Sequence, residues 1–391
     1  MLNTSLSPWP SFTQEEADAV SKVLLSNKVN YWTGTECREF EKEFAAFVGT
    51  QYAVALSNGT LALDVALKAM GIGQGDDVIV TSRTFLASAS CIVTAGANPV
   101  FADVDLNSQN ISAETIKAAL TPNTKAIIVV HLAGMPAEMD GIMDLAKEHD
   151  LWVIEDCAQA HGAKYKGKSV GSIGHVGAWS FCQDKIMTTG GEGGMVTTND
   201  KELWSKMWSY KDHGKSYDAV YHREHAPGFR WLHESFGTNW RMMEMQAVIG
   251  RIQLKRMPEW TARRQAHAAK LAESLGKFAS IRLIEVADYI EHAQYKFYAF
   301  VKPEHLKEGW TRDRIVNELN ARKVPCYQGS CSEVYLEKAF DNTPWRPKER
   351  LKNAVELGDT SLMFLVHPTL TDGEIAFCKE HIEAVLAQAT A

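Results

Sequence analysis

From residue 50 to about 200 the chain alternates short, largely β-branched apolar runs with helix-length stretches. The runs are "YAVAL" (52–56), "DDVIVTS", "NPVFADVD", "TKAIIVVHL" and "LWVIEDCAQA". Between them lie "TLALDVALKAMGI", "ASASCIVTAGA", "AETIKAAL" and "DGIMDLAKEHD". A strand that is apolar almost throughout has no face to give to water, so such strands belong in a mostly parallel sheet with helices on both faces. The predicted class is α/β. Further on, "GTNWRMMEMQAVIGRIQLKRMPEWTARRQAHAAKLAESL" ends in a long helical pattern with Met and Leu on one side and Arg, Lys and Gln on the other. Beyond it a strand ("YKFYAFVK") mixes with helices ("TRDRIVNELNAR", "EIAFCKEHIEAVLAQ"), which predicts a smaller C-terminal α+β domain. The expected division is an N-terminal arm and large domain over 1–257 and a small domain over 258–391.

A chain of 391 residues, 45% of them hydrophobic, can bury a sizeable core. Its formal net charge of -7 and lack of a polybasic run give no field for nucleic acid or an anionic membrane surface. The N-terminus lacks the pattern of a secretory leader, and nowhere do about 18 apolar residues run together. A cytoplasmic protein is expected. The seven cysteines are odd in number and scattered, which fits reduced core thiols better than a disulfide framework. "CYQGSC" and "HREH" lack a second pair at zinc spacing, so they are read as a buried thiol pair and a solvated loop, and no metal is expected.

In parallel sheets, ligands gather at the carboxyl ends of the strands. "SNGT" (57–60) follows the first strand and opens a helix, offering backbone N–H groups and hydroxyls to an anion, with Gly59 allowing close approach and Thr60 beside it. The plainer alternative is an N-cap formed by Ser57 or Thr60. Ser180 is a further hydroxyl for the same anion. Asp156 ends "LWVIED", where a buried carboxylate needs a cation or hydrogen-bond donors; a protonated ring nitrogen would serve, and a cap on the next helix is the alternative. Gln159, one helical turn on, would face the same side. Phe85 in "SRTFLAS" is either a stacking platform or core. Lys185 lies in "SFCQDKIMTTGGEGGM", between an apolar run and a glycine-dense turn. "GSIGHVG" and "GGEGG" do not follow the strand, G-x-G-x-x-G, helix order, and no Walker lysine motif is present. A phosphate cradle, a ring platform, a carboxylate for a ring nitrogen and a lysine together outline a pyridoxal-phosphate (PLP) site.

Four segments in this order, "SNGTLALDVAL", "EDCAQAHGAKYKGKSVGSIGHVGAWSF", "DKIMTTGGEGGMVTTND" and "GTNWRMMEMQAVIG", resemble the DegT/DnrJ/EryC1/StrS sugar aminotransferases of the aspartate-aminotransferase fold type I. The likeness spans nearly the whole chain. It implies Lys185 as the Schiff-base lysine, Asp156 as the partner of the pyridine nitrogen and Gln159 as the neighbour of the ring oxygen. It implies Gly59, Thr60 and Ser180 as phosphate binders, Phe85 as the stacking aromatic, and Asn239 as the residue reaching the phosphate from the second subunit of a homodimer. Trp32 in "YWTG" and His213 fall where such enzymes contact the sugar, and Tyr327 is taken with them. Relatives that dehydrate sugars carry histidine in place of Lys185, so lysine implies transamination, with glutamate as donor and pyridoxamine phosphate as the aminated cofactor. Regulatory proteins with similar folds lack turnover, and the intact lysine argues against that role here. Many relatives have proline where this chain has Phe364.

For the acceptor the resemblance leaves two anionic classes. Nucleotide-diphosphate keto-sugars would need cations such as Lys215, Arg230 or Arg241. "VPCYQGSCSEVYLEKAF" resembles a subset acting in surface-polysaccharide and lipopolysaccharide pathways, and points to a free acidic sugar aminated to 8-amino-3,8-dideoxy-octulosonate.

Overall fold

The structure is a computed structural model and describes residues 6–391, so residues 1–5 of the expected N-terminal arm lie outside the described residues. The strands in the first half are β1 (Tyr52–Leu56), β2 (Asp77–Thr81), β3 (Asn98–Ala102), β4 (Thr124–Val130), β5 (Trp152–Asp156), β6 (Lys164–Tyr165), β7 (Lys168–Ser169), β8 (Val176–Ser180) and β9 (Gly194–Thr198). The second half adds β10 (Ile281–Leu283), β11 (Ile290–Glu291), β12 (Phe297–Val301), β13 (Cys326–Tyr327) and β14 (Ser361–Phe364). The five apolar runs of that alternation are β1 to β5, and helices follow β1 to β4 at Gly59–Ala69, Ala87–Thr94, Ala113–Ala119 and Met139–Glu148.

The large sheet has the order β1-β9-β8-β5-β4-β2-β3. The pairs from β8 through β5, β4 and β2 to β3 are parallel, while β9 runs antiparallel to both neighbours. Alternate side chains enter different cores: Val80, Ile128 and Ile154 join Phe40, Phe44 and Leu63, whereas Ile79, Ile127 and Val153 join Ile116, Ile142 and Leu145. Both faces are therefore dry, as continuous apolar strands require. The fold is α/β with smaller antiparallel sheets, as expected from the sequence.

A four-stranded antiparallel sheet, β10-β12-β14-β13, packs against the helix Asp372–Ala389 in a third core that holds Ile382 and Val385. One helix, Glu244–Leu275, runs from Ala247 and Leu254 in the first core to Leu271 and Leu275 in the third. The expected division at 257/258 falls inside this helix, at Pro258. The proline lacks one N–H donor, and apolar packing at both ends of the helix outweighs that loss. Among the described residues no helix is long and apolar enough to cross a membrane.

Candidate active site

The ends of β1, β2, β4, β5 and β8 form one rim. At β1, the side chain of Asn58 caps the helix Gly59–Ala69 by accepting the Leu61 N–H at 3.0 Å. The expected cap from Ser57 or Thr60 is thus corrected: Ser57 Oγ instead donates to the Arg241 carbonyl at 3.0 Å. Gly59 and Thr60 are the first two residues of this helix, so their N–H groups have no acceptor inside it and lie at its positive pole. A Cβ on Gly59 would sit 2.5 Å from Ser180 Cβ, and one on Gly194 would sit 2.2 Å from the Asn58 carbonyl oxygen. The β1 turn, the end of β8 and the start of β9 can meet only because these positions lack side chains.

Asp156, the last residue of β5, is buried. Its Oδ2 accepts the Ser88 hydroxyl at 2.8 Å, and its Oδ1 accepts the Ala158 N–H at 3.1 Å. Burial raises the carboxyl above its usual range despite these bonds and the charges of Lys185 and His131. The site is short of positive charge next to this carboxylate. Gln159 is buried too, but it lies in a turn closed by the Ala160 N–H on the Cys157 carbonyl at 2.9 Å, so the expected helical turn is corrected. Gln159 Oε1 accepts the Ala133 N–H at 2.7 Å, which leaves its amide N–H donors for another acceptor. Phe85 is 71% exposed and makes no ring contact among the described residues, which suits a platform and not core.

Lys185 lies in the turn between β8 and β9, half-buried. Its carbonyl accepts the Trp9 Nε1–H at 2.9 Å, and its Nζ lies 5.4 Å from the centre of the Tyr295 ring. Tyr295 in turn donates its hydroxyl to Asp184. Ser88 was within a quoted motif and Gly194 within the glycine-dense turn. Trp9 and Tyr295 had no local signal, because Trp9 arrives from 176 residues before Lys185 and Tyr295 from 111 residues after Asp184.

Asn239 is exposed and bridges Asp212; the carbonyl of the next residue, Trp240, accepts the Ser57 N–H at 3.0 Å. This stretch is therefore laced to the 57–60 turn of the same chain. His213 is exposed, with φ of 58°, and its N–H donates to Thr238. Trp32 meets Tyr31 and Trp208 edge-on, and Lys215 Nζ lies 4.1 Å from its ring centre. Lys215 and Arg241 share one oxygen of the buried Asp212, at 3.1 and 2.7 Å. Arg230 is exposed. Tyr327, in β13, packs on the small cluster of Leu365, Leu370 and Ile375. Phe364 is buried in β14 opposite Phe297 and Cys326.

"GSIGHVG" turns out to be an internal anion nest. Glu155 accepts N–H groups from Gly171, Ile173 and Gly174 at 2.8, 2.8 and 2.6 Å, and meets His131 Nε2 at 2.9 Å. His131 Nδ1 accepts the Ala137 N–H, so Nε2 carries the proton and donates to Glu155. Burial raises the Glu155 carboxyl, yet these donors hold it below its usual range. His131, Glu155 and Cys157 come close enough to suggest metal ligands, but the first two already use their ligand atoms on each other and on backbone N–H groups. The "CYQGSC" reading is corrected in part: Cys326 is buried, whereas Cys331 is exposed.

A mostly parallel sheet with a lysine in the turn after its last parallel strand and a buried carboxylate at the end of the neighbouring strand is the arrangement of a fold type I aminotransferase. The chain belongs to the DegT/DnrJ/EryC1/StrS aminotransferase family, whose model matches residues 10–383. It is 42% identical over 377 residues to GDP-perosamine synthase of Escherichia coli O157:H7, covering 95% of this chain and 96% of that one. The structure of an aminotransferase from Psychrobacter cryohalolentis is similar at a TM-score of 0.96 and 65% identity, over 98% of this chain and 99% of that one. A Streptococcus pneumoniae chain assigned as a sugar aminotransferase, solved in its PMP form, gives a TM-score of 0.87 at 25% identity, over 99% and 100%. The protein is a sugar aminotransferase of this family, and the family depends on PLP.

Proposed function

We propose that the chain moves an amino group from glutamate to a sugar aldehyde or ketone used in surface-polysaccharide or lipopolysaccharide assembly. The acceptor we favour is the nucleotide-free acidic sugar whose amination gives 8-amino-3,8-dideoxy-octulosonate. The reaction belongs to the cytoplasm and to a homodimer.

The residues fit PLP. Asp156 is buried without an ion pair among the described residues, which a protonated ring nitrogen would supply. When bound, PLP supplies an aldehyde for amine exchange and a protonated ring that withdraws electrons. Gly59, Thr60 and Ser180 would hold its phosphate, with Asn239 reaching in from the second copy, and Phe85 would cover a face of the ring. Gln159 would donate to the ring oxygen. Asp156 keeps the proton on the ring nitrogen, and the Lys185 amine is the chain's nucleophile and then its proton carrier at the reacting carbon. Trp32, His213 and Tyr327 are the residues we assign to the sugar.

One observation carries the choice of acceptor. Of the three cations suited to a pyrophosphate, Lys215 and Arg241 already share Asp212, so little of their charge is free for a nucleotide. The 42% identity to GDP-perosamine synthase favours the second reading, a nucleotide-diphosphate keto-sugar. The test is to load the enzyme with pyridoxamine phosphate, add sugars one at a time, and follow the return of the cofactor's aldehyde absorbance. The octulosonate aldehyde should restore it. If nucleotide-linked 3-keto or 4-keto sugars do so and the octulosonate aldehyde does not, the second reading replaces the first.

A further inference from the structure

The ring of Tyr295 is shared by two amines: Lys185 Nζ lies 5.4 Å from its centre and Lys296 Nζ lies 4.7 Å from it. The backbone fixes this pair at the rim. The Tyr295 N–H donates to the Ala133 carbonyl, and the Ala133 N–H donates to Gln159 Oε1. Behind the ring stands Arg264, 1% exposed, whose Nη1 donates to the Tyr295 carbonyl at 3.3 Å and whose guanidinium lies 5.0 Å from the Trp9 ring. Its Nε and Nη2 have no hydrogen-bond partner among the described residues. Neither Lys296 nor Arg264 has an ion pair among the described residues, and the one carboxylate here, Asp184, is taken by the Tyr295 hydroxyl. Lys296 and Arg264 thus add two cations to Lys185 around a carboxylate that the Tyr295 hydroxyl already engages.

Burial, together with the charges of Arg264 and Lys185, brings Lys296 down to about 8 in spite of Asp184, and burial brings Arg264 down to about 9. An uncompensated buried cation costs free energy that an incoming anion returns. Any α-amino acid donor carries a carboxylate next to the reacting carbon, and the proposed acidic sugar carries one at C1, at the other end of its carbon chain from the C8 aldehyde.

We propose that Lys296, backed by Arg264, is a carboxylate anchor of the active site and selects substrates that carry a free carboxylate. The inference rests on the reading of Lys185 as the amine-exchange lysine. The shared chemistry is a carboxylate, and two probes separate its sources. Glutarate stands for the donor without its amine. 3-Deoxy-octulosonate, the alcohol counterpart of the proposed acceptor, stands for the sugar, and its methyl ester serves as the neutral control.

The experiment is calorimetric binding of these three compounds to the PLP-loaded enzyme, to Lys296→Gln and to the charge-keeping Lys296→Arg. Retained cofactor absorbance and an unchanged melting profile report folding. Loss of a charge-assisted bond should weaken binding of at least one acid about 10- to 100-fold in Lys296→Gln, with partial rescue in Lys296→Arg. If the sugar acid is the ligand, its advantage over the ester disappears in Lys296→Gln. If only glutarate responds, the anchor serves the donor, and the acidic-sugar reading of the acceptor fails while this one stands. If both acids bind Lys296→Gln within about twofold of the parent protein, the proposal is overturned whatever acceptor the enzyme uses.

Discussion

Acid should destabilise this protein well before its carboxylates are protonated. His161, His292 and His367 are all buried, and burial brings each down to about 3; the charges of Lys185 and Arg264 add to this at His161, and those of Arg264 and Lys296 at His367. His161 lies among Phe44, Trp179 and Phe181, and neither ring nitrogen makes a close hydrogen bond among the described residues. The folded value lies below the unfolded one, about 6.5, so the stability these groups contribute is complete above that value and is lost as pH falls toward 3. At pH 5.0 the folded imidazoles are still neutral while the unfolded ones are charged. The loss is then set by the unfolded value alone: about 1.5 pH units at about 1.36 kcal/mol each, or about 2 kcal/mol per histidine. Three give about 6 kcal/mol. Asp64 and Asp156, raised by burial, work in the opposite sense, while His175 and His267, lowered by burial, add to the loss, so we expect about 4 to 6 kcal/mol or more between pH 7.5 and 5.0. Glu16, Glu155 and Glu374 are held low in the fold and cost stability only below their unfolded value of 4.5, so they do not contribute in this window. The assay is urea unfolding of the apoprotein by tryptophan fluorescence at fixed protein concentration, comparing extrapolated stabilities at equal slope. A difference below about 1 kcal/mol would refute the assignment of these histidines as buried and neutral.

Two further outcomes bear on the cofactor site. Asp156→Asn should keep the fold and lose most turnover, with PLP affinity down by about 1.5 to 3 kcal/mol, because an amide cannot hold a proton on the ring nitrogen; an unchanged rate and affinity in a cofactor titration would assign that task to another acid. Mixing Lys185→Ala with Asn239→Ala chains should restore about a quarter of the parent activity, since about half of the dimers are mixed and each would contain one intact site of two; no recovery after verified subunit exchange would mean that the sites are not shared.

Some of this was legible in the sequence because it is local. Five strands and their helices announce themselves as uninterrupted apolar runs, and the rim motifs follow those runs. β8 and β9, which flank Lys185, did not, because "VGAWS" and "GMVTT" carry glycines and β9 is held in antiparallel register by β1, far away in the chain. The cap at 57–60 was a choice among neighbouring polar residues that only backbone geometry decides, and Asn58 wins it. Phe85 as core or platform turned on exposure, which a single aromatic does not encode.

The charge balance of the site was not legible at all, since Trp9, Arg264, Tyr295 and Lys296 reach the rim by long-range folding. That balance is also its most informative property. Asp156 is a buried anion short of a cation, Arg264 is a buried cation short of an anion, and Lys296 is a half-buried cation beside it. The two deficits do not cancel, for neither residue of the second group pairs with Asp156. Each costs free energy in the unliganded fold, where an apolar residue of similar size would cost less. Sites that break local rules in this way are where function is expected. The signs say what is missing: a cation at the end of β5 and an anion beside the Tyr295 ring. A protonated cofactor ring answers the first and a substrate carboxylate the second, so the site is complete only when both are bound.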